Sequence, residues 1–301
     1  MDNMRSYNLS VFPYSRDPAK SGGNPTTIFL NAEGLDDLQM QALAKESGHE
    51  CGFVLSGDAG WQDGCQFTMR YWVPNHEMEM CGHATVGAIW LMDQLGKLPS
   101  TDGLLLSTRS GKVEARVLKD ESTSTSRVLV SQPAGSCENL SGDIVQEIVS
   151  CLGIATGDLA PLSKVQNACT SRTKTLIPLK SQAILNNLKP DFDLLRDICE
   201  KINSTGFYPY AFIDNKDQIV DARQFPKSVG YVEDPATGIA AAALAFGLLS
   251  DKSVSSDVKR PILVRQGWSM GKPSQIEVQF RGTNEDIEGC WISGNVKWAE
   301  E

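Results

Sequence analysis

Three ionisable residues of this 301-residue chain could move protons on a small ligand: Glu50, His83 and Asp234. Carboxyl and imidazole groups are the side chains that most often act as general acids and bases. Each residue also has a purely structural interpretation. Glu50 could be a surface carboxylate, and His83 a helix cap or a buried histidine. Asp234 could be an N-cap, because it stands just before an apolar run.

A short pattern occurs once in each half of the chain. Pro74 is followed nine residues later by segment 83–85 (HAT), and Pro226 is followed nine residues later by segment 235–237 (PAT). Matching positions are 152 residues apart, which is about half of the chain. We interpret this pattern as two copies of one architecture.

Each Ala-Thr pair is followed by residues that are apolar on every side, 86–92 and 238–244. A helix that is hydrophobic all round is buried, so we expect one buried helix in each half. A helix N-terminus offers N–H groups without intrahelical partners and a partial positive charge, which together can bind an anion. Gly82 and Gly238 would let a ligand approach the backbone closely. We expect the two N-termini to face a cleft that takes a small carboxylate.

The surrounding sequence predicts strands, because many short segments are β-branched or aromatic and are bounded by Gly, Pro, Ser or Asp. The expected strands are 8–12, 27–30, 64–72, 104–107, 112–118, 127–130, 175–178, 207–213, 262–264 and 276–280. Amphipathic spacing predicts two further helices, 36–46 and 192–202.

The expected fold class is therefore α+β, with two similar lobes, each a curved, barrel-like sheet around a central buried helix. Segment 119–126 is polar and rich in Ser and Thr. Such a segment is typical of a boundary between domains. We expect it to separate a first lobe, residues 1–118, from a second lobe, residues 127–288.

Composition excludes several classes of partner. The net charge of −9 argues against a nucleic acid, whose phosphates need a basic surface. Segment 1–13 lacks the apolar run of a signal peptide, and no apolar stretch is long enough to predict a membrane span. The eight cysteines contain no CxxC pair, so neither a metal site nor a disulfide framework is indicated. No motif of a nucleotide enzyme, zinc peptidase or triad hydrolase occurs. We expect a cytoplasmic protein without cofactor, metal or membrane contact.

Cys81 offers an alternative chemistry, because a thiol at a helix N-terminus can be ionised and act as a base. Racemases that use two thiols need one cysteine from each half. The matching region of the second half holds Glu233 and Asp234, and no cysteine occurs between Cys199 and Cys290. We therefore expect Cys81 to be a small packed residue.

Taken together, the motifs of this chain resemble those of the phenazine biosynthesis protein F (PhzF-like) family. The matching segments are 23–25 (GNP), Glu50 ahead of 53–54 (FV), 70–74 (RYWVP), 81–85 (CGHAT), 223–226 (RQFP), 233–238 (EDPATG), 266–267 (QG) and 270–274 (MGKPS). The resemblance covers almost the whole chain, and CGHAT and EDPATG are its most specific motifs.

The resemblance implies a diaminopimelate-epimerase-like fold, with residues 289–301 returning to the first lobe, and a homodimer that works without a cofactor. It also implies an isomerase of secondary metabolism that moves a proton on a small biosynthetic intermediate. The best-understood member isomerises a dihydro-hydroxyanthranilate.

The resemblance also assigns roles to residues. Glu50 would be the acid and base, while His83 and Asp234 would orient polar groups of the substrate and help the proton to travel. The substrate carboxylate would bind the backbone of Gly82 and His83 and that of Gly238 and Ile239. Asn24, which by itself is typical of a turn, would contact the substrate.

Two departures from the family pattern concern the site. The family usually has Ser-Glu-Thr around its glutamate and Gly-Ser-Ala after its threonine. This chain has His-Glu-Cys at 49–51 and Gly-Ile-Ala at 238–240. Ile239 thus replaces a hydroxyl by a bulky apolar group, which implies a different, more apolar substrate.

Three hypotheses follow for the function. An isomerase that uses Glu50 predicts exchange of solvent hydrogen into the substrate. A racemase or epimerase of the same fold predicts loss of stereochemistry and sensitivity to alkylation of Cys81. A non-catalytic binding protein predicts no turnover. The presence of Glu50, His83 and Asp234 together favours an enzyme.

Overall fold

The computed structural model describes residues 4–14, 22–56, 64–100, 103–120, 125–161, 163–228 and 230–299. The chain divides into two compact units. Unit 1 comprises Met1–Ser131 and Ile292–Glu301, and unit 2 comprises Gln132–Trp291. Of the polar segment 119–126, residues 121–124 lie outside the described residues, and the expected domain limits stay a prediction.

The helices are interspersed among runs of strands along the chain. Those of the first half are β1 (Arg5–Val11), β2 (Asn24–Leu30), α1 (Asp37–Ser47), β3 (Cys51–Ser56), β4 (Phe67–Trp72), β5 (Glu77–Met78), α2 (Gly82–Gln94), β6 (Leu104–Thr108), β7 (Gly111–Asp120) and β8 (Thr125–Pro133). Those of the second half are β9 (Ser136–Asn139), α3 (Gly142–Cys151), β10 (Gln166–Cys169), β11 (Thr173–Pro178), α4 (Gln182–Asn186), α5 (Phe192–Lys201), β12 (Gly206–Asp214), β13 (Ile219–Ala222), β14 (Phe225–Pro226), α6 (Gly238–Ser250), β15 (Ile262–Gln266), β16 (Ser274–Gly282), β17 (Ile287–Gly294) and β18 (Val296–Trp298).

In unit 1 the sheet is mixed and wraps around α2. The strand order is β18-β1-β2-β3-β4-β6-β7-β8, and the β2–β3 and β4–β6 pairs are parallel. Strand β18 from the C-terminal end of the chain completes this sheet beside β1. The apolar run at the start of α2 is buried from Gly82 to Met92, and the helix packs against β1, β2, β3, β7 and β18. A sheet whose distant strands touch one helix must be strongly curved.

In unit 2 the sheet repeats this order of connections around α6. The strand order is β9-β10-β11-β12-β13-β15-β16, with β11–β12 and β13–β15 parallel. Helix α6 is buried from Gly238 to Leu248 and packs against β9, β10, β11 and β16. The outer face of this sheet carries α3, α4 and α5, whose apolar sides share one core cluster with Ile177 and Phe207.

The expected fold class is confirmed: an α+β fold in which each unit closes a curved sheet around one buried helix. The expected register of the repeat is wrong, however. The two central helices begin at Gly82 and Gly238, 156 residues apart, and their N-caps are Cys81 and Thr237. The Ala-Thr pair therefore lies inside the first turn of α2 but before the first turn of α6.

Among the described residues, no helix is long and apolar enough to cross a membrane. None of the eight cysteines forms a disulfide.

Candidate functional site

Glu50 is the last residue of the three-residue connection between α1 and β3. Helix α1 begins with a capping box at Asp36 and ends at Gly48, whose N–H donates to Ala44 O at 3.0 Å. The Thr26 hydroxyl donates to Glu50 O at 2.9 Å and thus ties the Glu50 backbone to β2. The side chain of Glu50 is only 6% exposed, so Glu50 is not a surface carboxylate.

The first turn of α2 packs against the start of β3. A methyl group built at Gly52 would lie 3.5 Å from the Ala84 Cβ, so helix and strand meet there with no side chain between them. Alternate residues of an extended segment point to the same face, which places Glu50 on the side of Gly52 and of α2. His83, the second residue of α2, is at the same end of unit 1.

Asn24 completes this group, because it is the buried first residue of β2. The parallel pairing of β2 with β3 joins Thr27 to Cys51, so both strands start at one end of the sheet. Unit 1 therefore brings together Asn24, Glu50 and the first turn of α2. This is the set that the resemblance implies for the first half.

His83 is buried and is not the cap of its helix, since the N-cap is Cys81. The Cys81 Sγ lies 3.4 Å from the His83 Nδ1. The Thr85 hydroxyl donates to Cys81 O at 2.8 Å and lies 2.6 Å from the Tyr71 hydroxyl. Burial raises the pKa of Tyr71, which keeps its phenol neutral. These bonds fix the backbone of Cys81 at the start of the helix.

Asp234 is buried in unit 2 and belongs to a hydrogen-bonded network before α6. Its carboxylate accepts a hydrogen bond from the Thr237 hydroxyl, and its N–H donates to Gln224 O at 3.1 Å. The Gln266 amide nitrogen donates to Asp234 O at 2.6 Å, and the Tyr208 hydroxyl donates to the Gln266 Oε1 at 2.8 Å. The N-cap of α6 is Thr237, so Asp234 does not have the N-cap role that its sequence position allowed.

A partly buried ion pair supports the segment that carries Asp234. The Arg223 guanidinium donates to both carboxylate oxygens of Glu233, at 2.8 and 2.7 Å, and also to the carbonyls of Leu185 and Leu188. A two-pronged arginine–carboxylate bond fixes orientation as well as distance. Glu233 is thereby held in a structural role next to Asp234.

The start of α6 presents Gly238 and Ile239. The first N–H groups of a helix have no intrahelical acceptor, and the first such bonds here are donated by Ala240 and Ala241 to Thr237 O. Ile239 is 9% exposed, whereas Ala240 to Ala243 are fully buried. Ile239 is thus at the margin of the core.

Two buried polar residues near Asp234, Lys174 and Tyr208, are not indicated by any sequence motif. Gln224, Thr237 and Gln266 are indicated only as parts of the matching motifs. Their buried positions around Asp234 become visible only in the fold.

Two cavities lie elsewhere in unit 1. One of about 410 Å³ is lined by residues that include Asp93 and Gly96, and one of about 320 Å³ by residues that include Met92 and Lys97. These residues are at the C-terminal end of α2, about 16 Å along the helix from His83. Neither cavity contains an expected site residue.

Alkylation of thiols tests the role of Cys81. The residue of unit 2 that corresponds to Cys81, at the N-cap of the central helix, is Thr237, so a second thiol base is lacking at that position. We expect Cys81→Ala to keep most of the activity, and thiol reagents to inhibit only where a bulky adduct at Cys81 or Cys51 blocks access. Rates before and after alkylation of wild type and Cys81→Ala check this. A folded Cys81→Ala variant without activity would support thiol chemistry instead.

Comparison with known proteins identifies relatives over nearly the full length. The family model of the phenazine biosynthesis-like proteins, PhzC-PhzF, matches residues 14–298. An uncharacterised isomerase of Escherichia coli, YddE, is 30% identical, with 93% of this chain and 94% of the relative covered.

Two further comparisons concern an enzyme and a fold. The trans-2,3-dihydro-3-hydroxyanthranilate isomerase of Pseudomonas aeruginosa is 28% identical, with 91% of this chain and 90% of the relative covered. The crystal structure of a PhzF-family phenazine biosynthesis protein from Bacillus anthracis superimposes with a TM-score of 0.82 at 23% identity, covering 99% of this chain and 98% of that one. The match of family model, relatives and fold confirms the resemblance, and the chain belongs to the phenazine biosynthesis-like family of isomerases.

Proposed function

We propose that this protein moves a proton on a small carboxylate-bearing metabolite, with Glu50 as the general acid and base. The observation that carries the proposal is the position of Glu50. Glu50 is buried just before β3, on the side that faces the first turn of α2, the helix that is buried from Gly82 to Met92. A carboxylate kept in a buried, fixed position is suited to proton transfer rather than to solubility.

In the proposed reaction the Glu50 carboxylate removes a proton from one carbon of the substrate. The resulting carboxylic acid returns a proton to another carbon. The substrate gains and loses one proton, so its oxidation state does not change and the step requires no electron acceptor. One side chain can thus serve as base and then as acid.

His83 and Asp234 are proposed to orient polar groups of the substrate. The Thr237 hydroxyl binds the Asp234 carboxylate, and the Gln266 amide nitrogen binds the Asp234 backbone carbonyl, so both the side chain and the backbone of Asp234 are held in place. The N–H groups at the start of α2 and of α6 are the proposed donors to a substrate carboxylate. That both units contribute to one substrate site stays a prediction, as do the homodimer and the cytoplasmic location.

The relatives support the reaction class. The Pseudomonas aeruginosa relative acts on a dihydro-hydroxyanthranilate, which is a cyclic carboxylate. Ile239, where the family usually has a serine, adds apolar surface near the proposed carboxylate donors. We therefore propose a carboxylate whose body is more apolar than that of the dihydro-hydroxyanthranilate.

Hydrogen exchange in deuterated water tests the proposed function. Candidate unsaturated carboxylates, starting with trans-2,3-dihydro-3-hydroxyanthranilate, are incubated with the protein in D₂O and followed by proton NMR. We expect a shifted double bond with deuterium at the new carbon position. Inverted stereochemistry with an unmoved double bond would favour an epimerase. An absence of both exchange and turnover across the candidates would favour a binding protein.

Replacing Ile239 by serine tests the proposed specificity. If the side chain contacts the substrate, Ile239→Ser loses about 1–3 kcal/mol of substrate binding. Stability then falls only modestly, because an open position leaves no sealed cavity. Substrate affinity and thermal unfolding are measured together. A large fall of the unfolding midpoint with unchanged affinity would show that Ile239 is a core residue and that the specificity argument is wrong.

A further inference from the structure

The inner face of the unit 2 sheet carries two buried polar side chains, Lys174 and Gln224. Strand β11 pairs with β12 through Thr175 with Phe207 and Leu176 with Tyr208. Leu176 points to α6, because its Cδ1 occupies the space where a Cβ of Gly247 would stand. Lys174 is two residues before Leu176, so it shares this inner face.

Gln224 lies on the same inner face of the unit 2 sheet, just before β14, which pairs with β12. Phe225 pairs with Phe207 and packs in the outer core cluster, so Gln224, its neighbour, points inward. The Gln224 Nε2 lies 2.6 Å from the point where a Cβ of Gly206 would stand. Gly206 precedes Phe207, just as Lys174 precedes Thr175 on the adjacent strand. The lysine and the amide therefore flank Gly206 on one face.

Gln224 is 1% exposed, and neither its amide oxygen nor its amide nitrogen has a hydrogen-bond partner among the described residues. A buried polar atom without a hydrogen-bond partner destabilises the fold, because it has lost its bonds to water and gained none in return. Such a side chain needs an explanation, and a ligand that completes its hydrogen bonds is one.

Lys174 is 5% exposed, and no described carboxylate lies within ion-pair distance of its ammonium group. Burial and the positive charge of Arg172 lower the pKa of Lys174 to about 8, whereas the negative charge of Asp234 acts in the opposite direction. A buried lysine without a close counter-ion destabilises the fold, so a fold-stabilising role does not account for it.

We propose that Lys174 and Gln224 form an anion subsite in unit 2 for a carboxylate that carries a neighbouring hydroxyl group. The ammonium of Lys174 and the Nε2 of Gln224 donate to the carboxylate oxygens. The Oε1 of Gln224 accepts a hydrogen bond from the hydroxyl group. The carboxylate supplies the missing counter-ion, and the hydroxyl supplies the missing donor. The assignment of this anion to the isomerase substrate rests on the proposed function. The binding of the anion to Lys174 and Gln224 does not depend on that function.

Three small probes test the subsite by ligand-observed NMR: lactate, propionate and lactamide. Lactate has both groups, propionate lacks the hydroxyl, and lactamide lacks the charge. We expect wild type to bind lactate more tightly than propionate and lactamide most weakly. Lys174→Met weakens lactate and propionate about tenfold or more. Gln224→Leu removes the preference for lactate over propionate.

Lys180→Met is the matched control, because Lys180 is exposed just beyond the end of β11. We expect it to bind all three probes as wild type does. Wild-type-like binding in Lys174→Met, equal losses in both lysine variants, or no binding of lactate by wild type would each overturn the proposal. Glu50→Gln separates the two hypotheses: unchanged lactate binding with lost isomerisation leaves the subsite intact.

The pH dependence of lactate binding gives a second readout. Three groups that carry or could carry charge act on Lys174: Arg172, Asp234 and Cys199. A fourth group, Tyr208, interacts with Asp234. Burial raises the pKa of Cys199 to about 11 and that of Tyr208 well above 10, so neither group titrates near pH 8. Binding is therefore expected to be constant below about pH 8 and to weaken above it. Binding that is unchanged up to pH 9.5 (an experimental limit of about 1.5 units above that pKa) would contradict the role of the ammonium group.

Thermal unfolding of the variants distinguishes a binding role of Lys174 from a structural role. The pKa of folded Lys174 is below the 10.5 of an exposed lysine, so below about pH 8 the folded state carries an unfavourable charge. As pH rises from about 8 to 10.5, the unfolded chain binds more protons and this cost disappears. We expect Lys174→Met to unfold at a higher temperature than wild type at pH 7, with a gain that shrinks as the pH rises. If Lys174→Met instead unfolds at a lower temperature than Lys180→Met, then Lys174 stabilises the fold and the proposal is overturned.

Discussion

Replacement of Glu50 by glutamine is expected to lower kcat by about 10²–10⁴-fold while the fold remains intact. Glutamine has nearly the same volume and fills the same buried position, but it can neither remove a proton from carbon nor return one. The backbone anchor is unaffected, because the Thr26 hydroxyl binds Glu50 O and not the side chain. Turnover is measured on the substrate that the deuterium-exchange experiment identifies.

The matched control is Glu46→Gln, which removes an exposed carboxylate from the last turn of α1. It changes the net charge by the same amount but leaves the proposed site untouched, so we expect wild-type turnover. Near-normal turnover in a folded Glu50→Gln variant would remove Glu50 from the mechanism. Loss of activity in both variants would point to long-range electrostatics rather than to proton transfer.

The buried helices are the part of the fold that the sequence specifies most directly. Apolar residues on every side of 86–92 and 238–244 leave no face for water, and both segments are in fact buried in α2 and α6. The order of strands around each helix does not follow from such patterns. It depends on which segments pair in parallel, and that is decided by long-range packing.

The register of the repeat shows how a local pattern can mislead. The Ala-Thr pairs suggested helices 152 residues apart, but the helices begin 156 residues apart. A shift of four residues is close to one helical turn of 3.6 residues, so the pattern of apolar residues looks the same in both alignments and does not reveal the error. The correct equivalence, Cys81 with Thr237, depends on where each helix is capped.

Helix α3 was missed although its signal was present. Ile144, Val145, Ile148 and Val149 follow the i, i+1, i+4, i+5 spacing of an amphipathic helix, and they pack in or beside the outer core of unit 2. The spacing was sufficient to predict it.

Lys174 and Gln224 could not have been identified from the sequence. A lysine at the start of a strand normally extends its charge into water. Only the pairing of β11 with β12 turns Lys174 inward. Glu50, in contrast, was identified by family resemblance alone, and the structure adds its burial.

The substitution Gly267→Ala, which adds a single methyl group, is expected to lower the free energy of unfolding by about 3 kcal/mol or more. Gly267 has a φ of +82°, in the left-handed region, where an alanine costs about 1–2 kcal/mol. Its added Cβ would also collide with Lys272 O and lie 2.8 Å from Pro235 O. Both obstacles are backbone atoms, which cannot rotate away, and overpacking of this kind costs a further 1–3 kcal/mol or so.

Gly271→Ala separates strain from collision within the same loop. Gly271 also has a left-handed φ, +67°, but no atom lies within 4 Å of the position of its Cβ. We expect this variant to lose only about 1–2 kcal/mol. Urea unfolding of both variants measures the difference directly, and equal losses would mean that the backbone around Gly267 can move aside.

The collision in Gly267→Ala is also expected to displace a residue of the proposed site, Asp234. Pro235 follows Asp234, and Gln266 precedes Gly267 and donates to Asp234 O at 2.6 Å. A shift of the Pro235 carbonyl therefore moves Asp234 relative to the start of α6, whereas Gly271→Ala leaves both residues in place. We expect Gly267→Ala to lose turnover at temperatures where it is still folded, and Gly271→Ala to retain it. If the folded Gly267→Ala protein works normally, then the position of Asp234 is not critical to the reaction.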